Sequence, residues 1–129
     1  GYDYLIFDMS PGCSILERSI AATADEVLPI VRPEVFSVDG LEIFQDTMEK
    51  IRTDLRSTVK ASRLAVNGYN ASFGVHVAYL EKLKPLPFDV FTIGQSIKIS
   101  EAQTARQFVA EYHPKDKTLP EYHRLAQEL

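Results

Sequence analysis

Tyr4-Leu5-Ile6-Phe7-Asp8-Met9-Ser10-Pro11-Gly12 sets a run of four large apolar residues against a carboxylate and a turn. An apolar run without alternation predicts a β-strand covered on both faces, as in a parallel sheet. The run stops at Asp8, and Ser10-Pro11-Gly12 turns the chain. A carboxylate at such a strand end is rigidly held and faces the edge where ligands gather. It is also the hard oxygen that a phosphate-bound magnesium ion takes, often through a water. The plainer alternative is that Asp8 starts the turn by capping local amides.

Outward from this stretch, apolar runs alternate with segments of helical period. Ser14-Ile15-Leu16-Glu17 has the form of a capping box and predicts a helix to about Ala24, with Ser14 capping the Glu17 amide. Val27 to Val31 reads as a second strand, with Pro29 near its end because proline removes a ladder donor. Leu41, Phe44, Met48, Ile51 and Leu55 share one face of a long helix from about Val38 to Leu55. Glu42, Asp46, Glu49, Lys50 and Arg52 fill its solvated side. Arg63 to Val66 begins a third strand, and Asn67-Gly68-Tyr69-Asn70 reads as a loop.

A helix from about Val75 to Lys84 follows, closed by Pro85 and Pro87. Phe88 to Ile93 is a fourth strand ending in Gly94-Gln95-Ser96. Ser100-Glu101-Ala102-Gln103 is a second capping box, opening a helix to about Ala110. Thr118-Leu119-Pro120-Glu121 is a third, opening a last helix that turns Tyr122, Leu125 and Leu129 inward. This alternation predicts an α/β fold, a mostly parallel sheet flanked by helices, in a single domain over residues 1–129. The ligand edge then comprises Asp8 to Gly12, Arg32 to Glu34, Asn67 to Asn70, and Gly94 to Lys98.

Composition narrows the function. Lys and Arg number 14 against 18 Asp and Glu, a net charge of −4, which disfavours strong standing affinity for nucleic acid. Cys13 is the only cysteine, so it forms no internal disulfide, and it reads as a small buried thiol. His76, His113 and His123 have no metal-ligand spacing and read as surface residues. No apolar run approaches membrane-spanning length and no signal peptide opens the chain, so a cytoplasmic location is expected.

The opening stretch does not stand alone. Tyr2 to Gly12 resembles the segment of ParA-type ATPases that reads Y-D-x-I-I-I-D-T-P-P-G. Ala24 to Glu34, reading A-D-E-V-L-P-I-V-R-P-E, resembles that family's A-D-E-V-I-I-P-V-x-P-E, and this accounts for Pro29. Ser37 to Leu41 is similar to A-L-E-G-L, Ile97 to Ala102 to V-R-L-S-E-A, and Glu111 to Lys115 to E-Y-D-P-K. Five segments in order run from Tyr2 to Lys115.

The resemblance implies a chromosome- or plasmid-partition ATPase of the ParA/MinD group, with a P-loop NTPase-like fold. Such proteins bind ATP and Mg2+, dimerise across the nucleotide, and bind DNA without sequence preference in the ATP form. It further implies a homodimer, a ParB-like stimulator, and nucleoid association when ATP is bound. By position, Asp8 becomes the magnesium-side carboxylate, acting through water. Met9, Ser10, Pro11 and Gly12 become the switch that senses the γ-phosphate. Asn67 and the Gly94-Gln95 backbone come near the adenine, and Lys98 and Arg106 near DNA phosphates.

The departures are as informative. The family's phosphate-binding loop, K-G-G-x-G-K-[ST], is absent from these 129 residues. Without its amides, lysine and hydroxyl nothing cradles the phosphates. The chain therefore resembles the carboxyl-terminal half of such an ATPase, expected alone to be inactive and to hold no nucleotide tightly. Ser10 stands for the first switch proline and Lys98 for an arginine. In the family fold, the phosphate-loop strand lies between the strand ending at Asp8 and the one ending near Val31. Its removal opens a slot, so either the missing half comes from elsewhere or the strands pair differently.

Three alternatives follow. A relative without the phosphate loop can serve as a non-enzymatic scaffold or regulator. A MinD-like membrane role is disfavoured, because Arg124 to Leu129 carries little positive charge. A phospho-acceptor role for Asp8 lacks the upstream acidic pair.

Overall fold

The computed structural model describes residues 1–10, 12, 14–34 and 37–129, and for Ser37 and Val38 the backbone alone. Pro11 and Cys13 lie outside the described residues. The chain forms two compact units, Gly1–Val27 with Gly40–Ala61, and Leu28–Asp39 with Ser62–Leu129.

The second unit is built on three strands, β1 (Ile30–Val31), β2 (Arg63–Tyr69) and β3 (Asp89–Gly94), paired in parallel in the order β1-β2-β3. The central strand is buried on both faces: Leu64, Ala65 and Val66 are almost wholly enclosed. Ala65 and Ile93 pack with Leu125, and Leu28, Phe91 and Tyr122 close the cluster. The Ala65 amide bonds the Pro29 carbonyl at 3.0 Å, so Pro29 extends the strand edge through its acceptor, the group that proline retains.

The loop expected at Asn67 to Asn70 is corrected. Pairing runs on from Asn67, opposite Ile93, to Tyr69, opposite Gly94, with Gly68 bulged out between them. Gly68 has φ +79°, a left-handed conformation that glycine adopts without a Cβ penalty. Asn-Gly is a turn signal locally, but here glycine makes a bulge that lets the ladder resume.

Helix α3 (Gly74–Leu83) buries Tyr79 and Leu83. Helix α4 (Ile97–Ala105) starts one turn before the expected capping box. Ser96, not Ser100, is its N-cap, accepting from the Lys98 amide at 3.2 Å. Arg106 closes it in a left-handed conformation, and a short helix α5 (Val109–Tyr112) follows. Helix α6 (Leu119–Glu128) begins where expected and buries Leu119 and Leu125. Leu129 is half exposed rather than turned inward.

In the first unit, α1 (Ile15–Thr23) is capped by Ser14, whose hydroxyl accepts from the Leu16 amide rather than from Glu17. The Glu17 carboxylate reaches back to the Ser14 and Ser10 hydroxyls. These bonds, Ser14 first, hold its pKa down at about 2. The long helix α2 (Ser37–Leu55), which belongs to this unit from Gly40 on, brings Met48 and Ile51 against Ala21 and Val59, with Phe44 and Val27 around them. Leu41 is buried as expected, whereas Leu55 at the helix end is half exposed. Ser57 Oγ donates to the Ala22 carbonyl at 2.7 Å, tying the turn after α2 to the end of α1.

The buried strand expected at Tyr4 to Asp8 is not formed. The segment has no strand pairing, and Leu5 and Ile6 are 79% and 89% exposed. The apolar run is that of a central strand, which is stable only between ladder partners on both edges. Among the described residues none supplies those partners.

Candidate ligand-binding cleft

Three of the four predicted strand ends meet at one place. At the carboxyl edge of the sheet, a cleft of about 430 Å³ is lined by Arg32, Pro33 and Glu34 after β1, Asn67 and Gly68 at the end of β2, and Gly94, Gln95 and Ser96 after β3. His76 from α3 and Ile97, Ile99 and Ser100 from α4 complete the wall. A volume of this size is within the range of small-ligand sites, roughly 300–1,000 Å³. Every lining residue belongs to the second unit.

Asn67 stands in the regular register opposite Ile93, and the bulge at Gly68 shifts the register from Tyr69 onward. The chain then turns through Asn70, whose Oδ1 accepts from the Ser72 amide at 2.9 Å. His76 fastens this turn: its Nδ1 accepts from the Asn70 amide at 3.0 Å. Phe73 stands edge-on to the ring, with centroids 5.2 Å apart, and Tyr69 tilts over it at 6.1 Å. His76, expected at the surface, is thus half buried and structural as well as cleft-lining.

The β3–α4 connection is held by carboxylates. The Gly94 amide donates to Glu121 Oε2 at 2.6 Å, and the Gln95 amide to the Tyr69 carbonyl at 3.3 Å. Ser96 Oγ donates to Asp116 Oδ2 at 2.5 Å. The other Asp116 oxygen accepts from the Thr118 amide and hydroxyl, at 2.9 and 2.6 Å. Asp116 is buried, and these bonds, Ser96 first, bring its pKa down to about 2.

The residues expected near DNA lie on α4. Lys98 Nζ meets Glu101 Oε2 at 2.8 Å, and the Tyr112 hydroxyl donates to the same oxygen at 3.4 Å. The ion pair holds the lysine above its ordinary pKa and the glutamate below its own. Arg106 is exposed at the helix end.

Asp8, Met9, Ser10 and Gly12 belong to the first unit. Asp8 and Ser10 are exposed, and the Gly12 amide donates to the Ser10 carbonyl at 2.8 Å. The turn expected here runs through Pro11 and so lies partly outside the described residues. Among the described residues no group of three or more His, Cys, Asp or Glu is placed to hold a metal ion. None of their helices is long and apolar enough to cross a membrane.

Sequence reading gives Asp116 no role, places His76 at the surface, and makes Glu121 the end of a capping box, whereas Thr118 makes no side-chain cap bond and Glu121 accepts from Gly94. Asp116-Lys117-Thr118 carries a weak signal: a short acidic side chain two residues before a helix cap bonds backbone locally. His76 and Glu121 carry none, because their partners are set by the way the chain returns to the sheet.

Residues 1–61 match the family model described as an AAA domain. An uncharacterized protein of Borreliella burgdorferi is 32% identical over 129 residues, covering all of this chain and 52% of that protein. The chromosome partitioning protein ParA of Myxococcus xanthus is 24% identical over 132 residues, covering 99% of this chain and 46% of its own length. The chromosome-partitioning ATPase Soj of Thermus thermophilus is 24% identical over 132 residues, covering 100% of this chain and 53% of its own. The chain thus spans about half the length of the curated relatives it matches. Over its whole length the chain is similar to about half of each of these partitioning ATPases, and its parallel sheet flanked by helices agrees with a ParA/MinD-like ATPase fragment.

Proposed function

We propose that the chain supplies the base-side cleft and the switch segment of a ParA-like partition ATPase, an ATP- and Mg2+-dependent dimer switch that binds DNA without sequence preference. The observation that carries this reading is the convergence of Arg32–Glu34, Asn67–Gly68 and Gly94–Ser96 on one cleft at the carboxyl edge of a parallel sheet. That is where α/β sheets of this kind hold ligands.

The residues fit one half of the nucleotide. The Asn67 amide, the Gln95 side chain and the ring of His76 offer donors and acceptors to a planar polar base, in a cleft of sufficient volume. The phosphate half does not fit these residues, since the 129-residue sequence contains no phosphate-binding loop. For magnesium the chain offers Asp8, a single carboxylate suited to an outer position through water. No step of hydrolysis is assigned to the other residues. The test is calorimetric titration of the whole gene product with ATP, with and without Mg2+. Saturable Mg2+-dependent binding supports the reading, and its absence sinks it.

DNA contact rests on Lys98 and Arg106. Lys98 is paired with Glu101 at 2.8 Å, so its contribution to DNA binding requires that the pair open toward phosphate. Lys98→Ala in the ATP-bound protein should lower the slope of log affinity against log salt by about one. An unchanged slope removes Lys98 from the interface.

The competing reading is a scaffold or regulator that turns over no nucleotide. The same titration separates the two.

A further inference from the structure

We infer that Asp116 and Glu121 are positioning residues for the cleft: from outside it, they fix the Gly94-Gln95-Ser96 backbone against which its ligand lies. The inference rests on the reading of the cleft as a nucleotide-base site. Neither carboxylate lines the cleft, so neither is offered as a ligand contact.

Three observations carry it. First, both acids come from one short stretch, Asp116 to Glu121, and both reach the same three-residue connection, at Gly94 (2.6 Å) and Ser96 (2.5 Å). Second, the bonds are of the strong kind, with an ionised acceptor and a short distance. Asp116 is enclosed, at 6% exposure, and a buried carboxylate is stable only when its oxygens are saturated. Ser96 and both donors of Thr118 provide that saturation. Third, the carboxylates are not needed to attach α6, because Leu125 and Tyr122 already dock that helix on Ala65 and Ile93.

The geometry explains what would be lost. The Ser96 hydroxyl donates to Asp116, which leaves its lone pairs for the Lys98 amide and so fixes the start of α4, whose Ile97, Ile99 and Ser100 are cleft wall. Glu121 takes the Gly94 amide at the point where β3 ends. A Cβ on Gly94 would stand 3.4 Å from Glu121 Oε2, so the approach is close as well as polar. The depressed pKa of Asp116 agrees with a permanently ionised clamp.

The experiment compares wild-type whole gene product with Glu121→Gln, Asp116→Asn and two controls: Glu128→Gln on the same helix, and Val59→Ala in the core of the other unit. Amide NMR without nucleotide reads the loop directly, and ATP·Mg2+ titration reads the cleft. Glu121→Gln should shift the Gly94 amide proton upfield, and Asp116→Asn should move the Lys98 amide. Each should weaken ATP by about tenfold, the loss expected for one charge-assisted bond. Val59→Ala lowers the melting temperature yet leaves those amides and the affinity unchanged, which separates positioning from general destabilisation. If the wild type binds ATP and either carboxamide variant binds equally well, the inference is overturned. If the wild type binds no ATP, the functional reading fails and the amides decide alone: unmoved Gly94 and Lys98 signals overturn positioning, and moved ones sustain it.

Discussion

Leu64→Ala should lower the unfolding free energy by about 3 kcal/mol, and the melting temperature by roughly 10 °C. The size follows from position. Leu64 lies on the central strand of the sheet with no exposed surface. Side chains alternate across a strand, so Leu64 and Val66 fill one face while Ala65 packs on the other with Ile93 and Leu125. Truncation therefore removes transferred surface and leaves a cavity between fixed walls. Leu55→Ala is the control, since Leu55 is 51% exposed at the end of α2. It should cost less than about 1 kcal/mol, in line with surface changes. Urea denaturation of both variants checks the comparison, and equal losses would mean that the sheet is not the core described.

Asp8→Ala is the second large effect. In the proposed role, Asp8 holds a magnesium-bound water beside the phosphates. Its removal should lower ATP turnover by the whole gene product on the order of a hundredfold or more, the scale of losing one positioned polar group in a reaction centre. Nucleotide affinity measured without Mg2+ should stay unchanged, because the carboxylate acts through the ion. Steady-state phosphate release over a Mg2+ titration separates the two effects. Turnover within a few-fold of wild type, with normal Mg2+ dependence, would remove Asp8 from the site.

Much of the second unit was legible in the sequence. Arg63 to Val66 and Phe88 to Ile93 are apolar runs of strand length, and both are strands. The spacing of Leu41, Met48 and Ile51 located the buried face of α2. What failed did so for identifiable reasons. Tyr4 to Asp8 has the composition of a central strand, but composition cannot supply the neighbouring strands that make one. Asn67-Gly68 has the local chemistry of a turn, and the ladder to β3 overrode it as a bulge. At α4, Ser100 had the stronger local pattern, with Gln103 three residues on, yet Ser96 caps the helix because Asp116 fixes its hydroxyl from a distant part of the chain.

The cleft shows the same division. Strand ends are legible in the sequence, which puts Asn67, Gly94 and Gln95 on one edge, and all three line the cleft. The residues that hold this edge in shape could not be read. His76 folds back on Asn70, and Glu121 reaches Gly94 across 27 positions. Such partners are properties of the tertiary path, with no periodicity to announce them.

The most direct test of the account is titration of the isotopically labelled whole gene product with ATP in the presence of Mg2+, followed by amide NMR. The account predicts saturable Mg2+-dependent binding that shifts the backbone amides of Asn67, Gly94 and Gln95 together. Absence of binding, or binding that leaves those three amides unmoved, would contradict it.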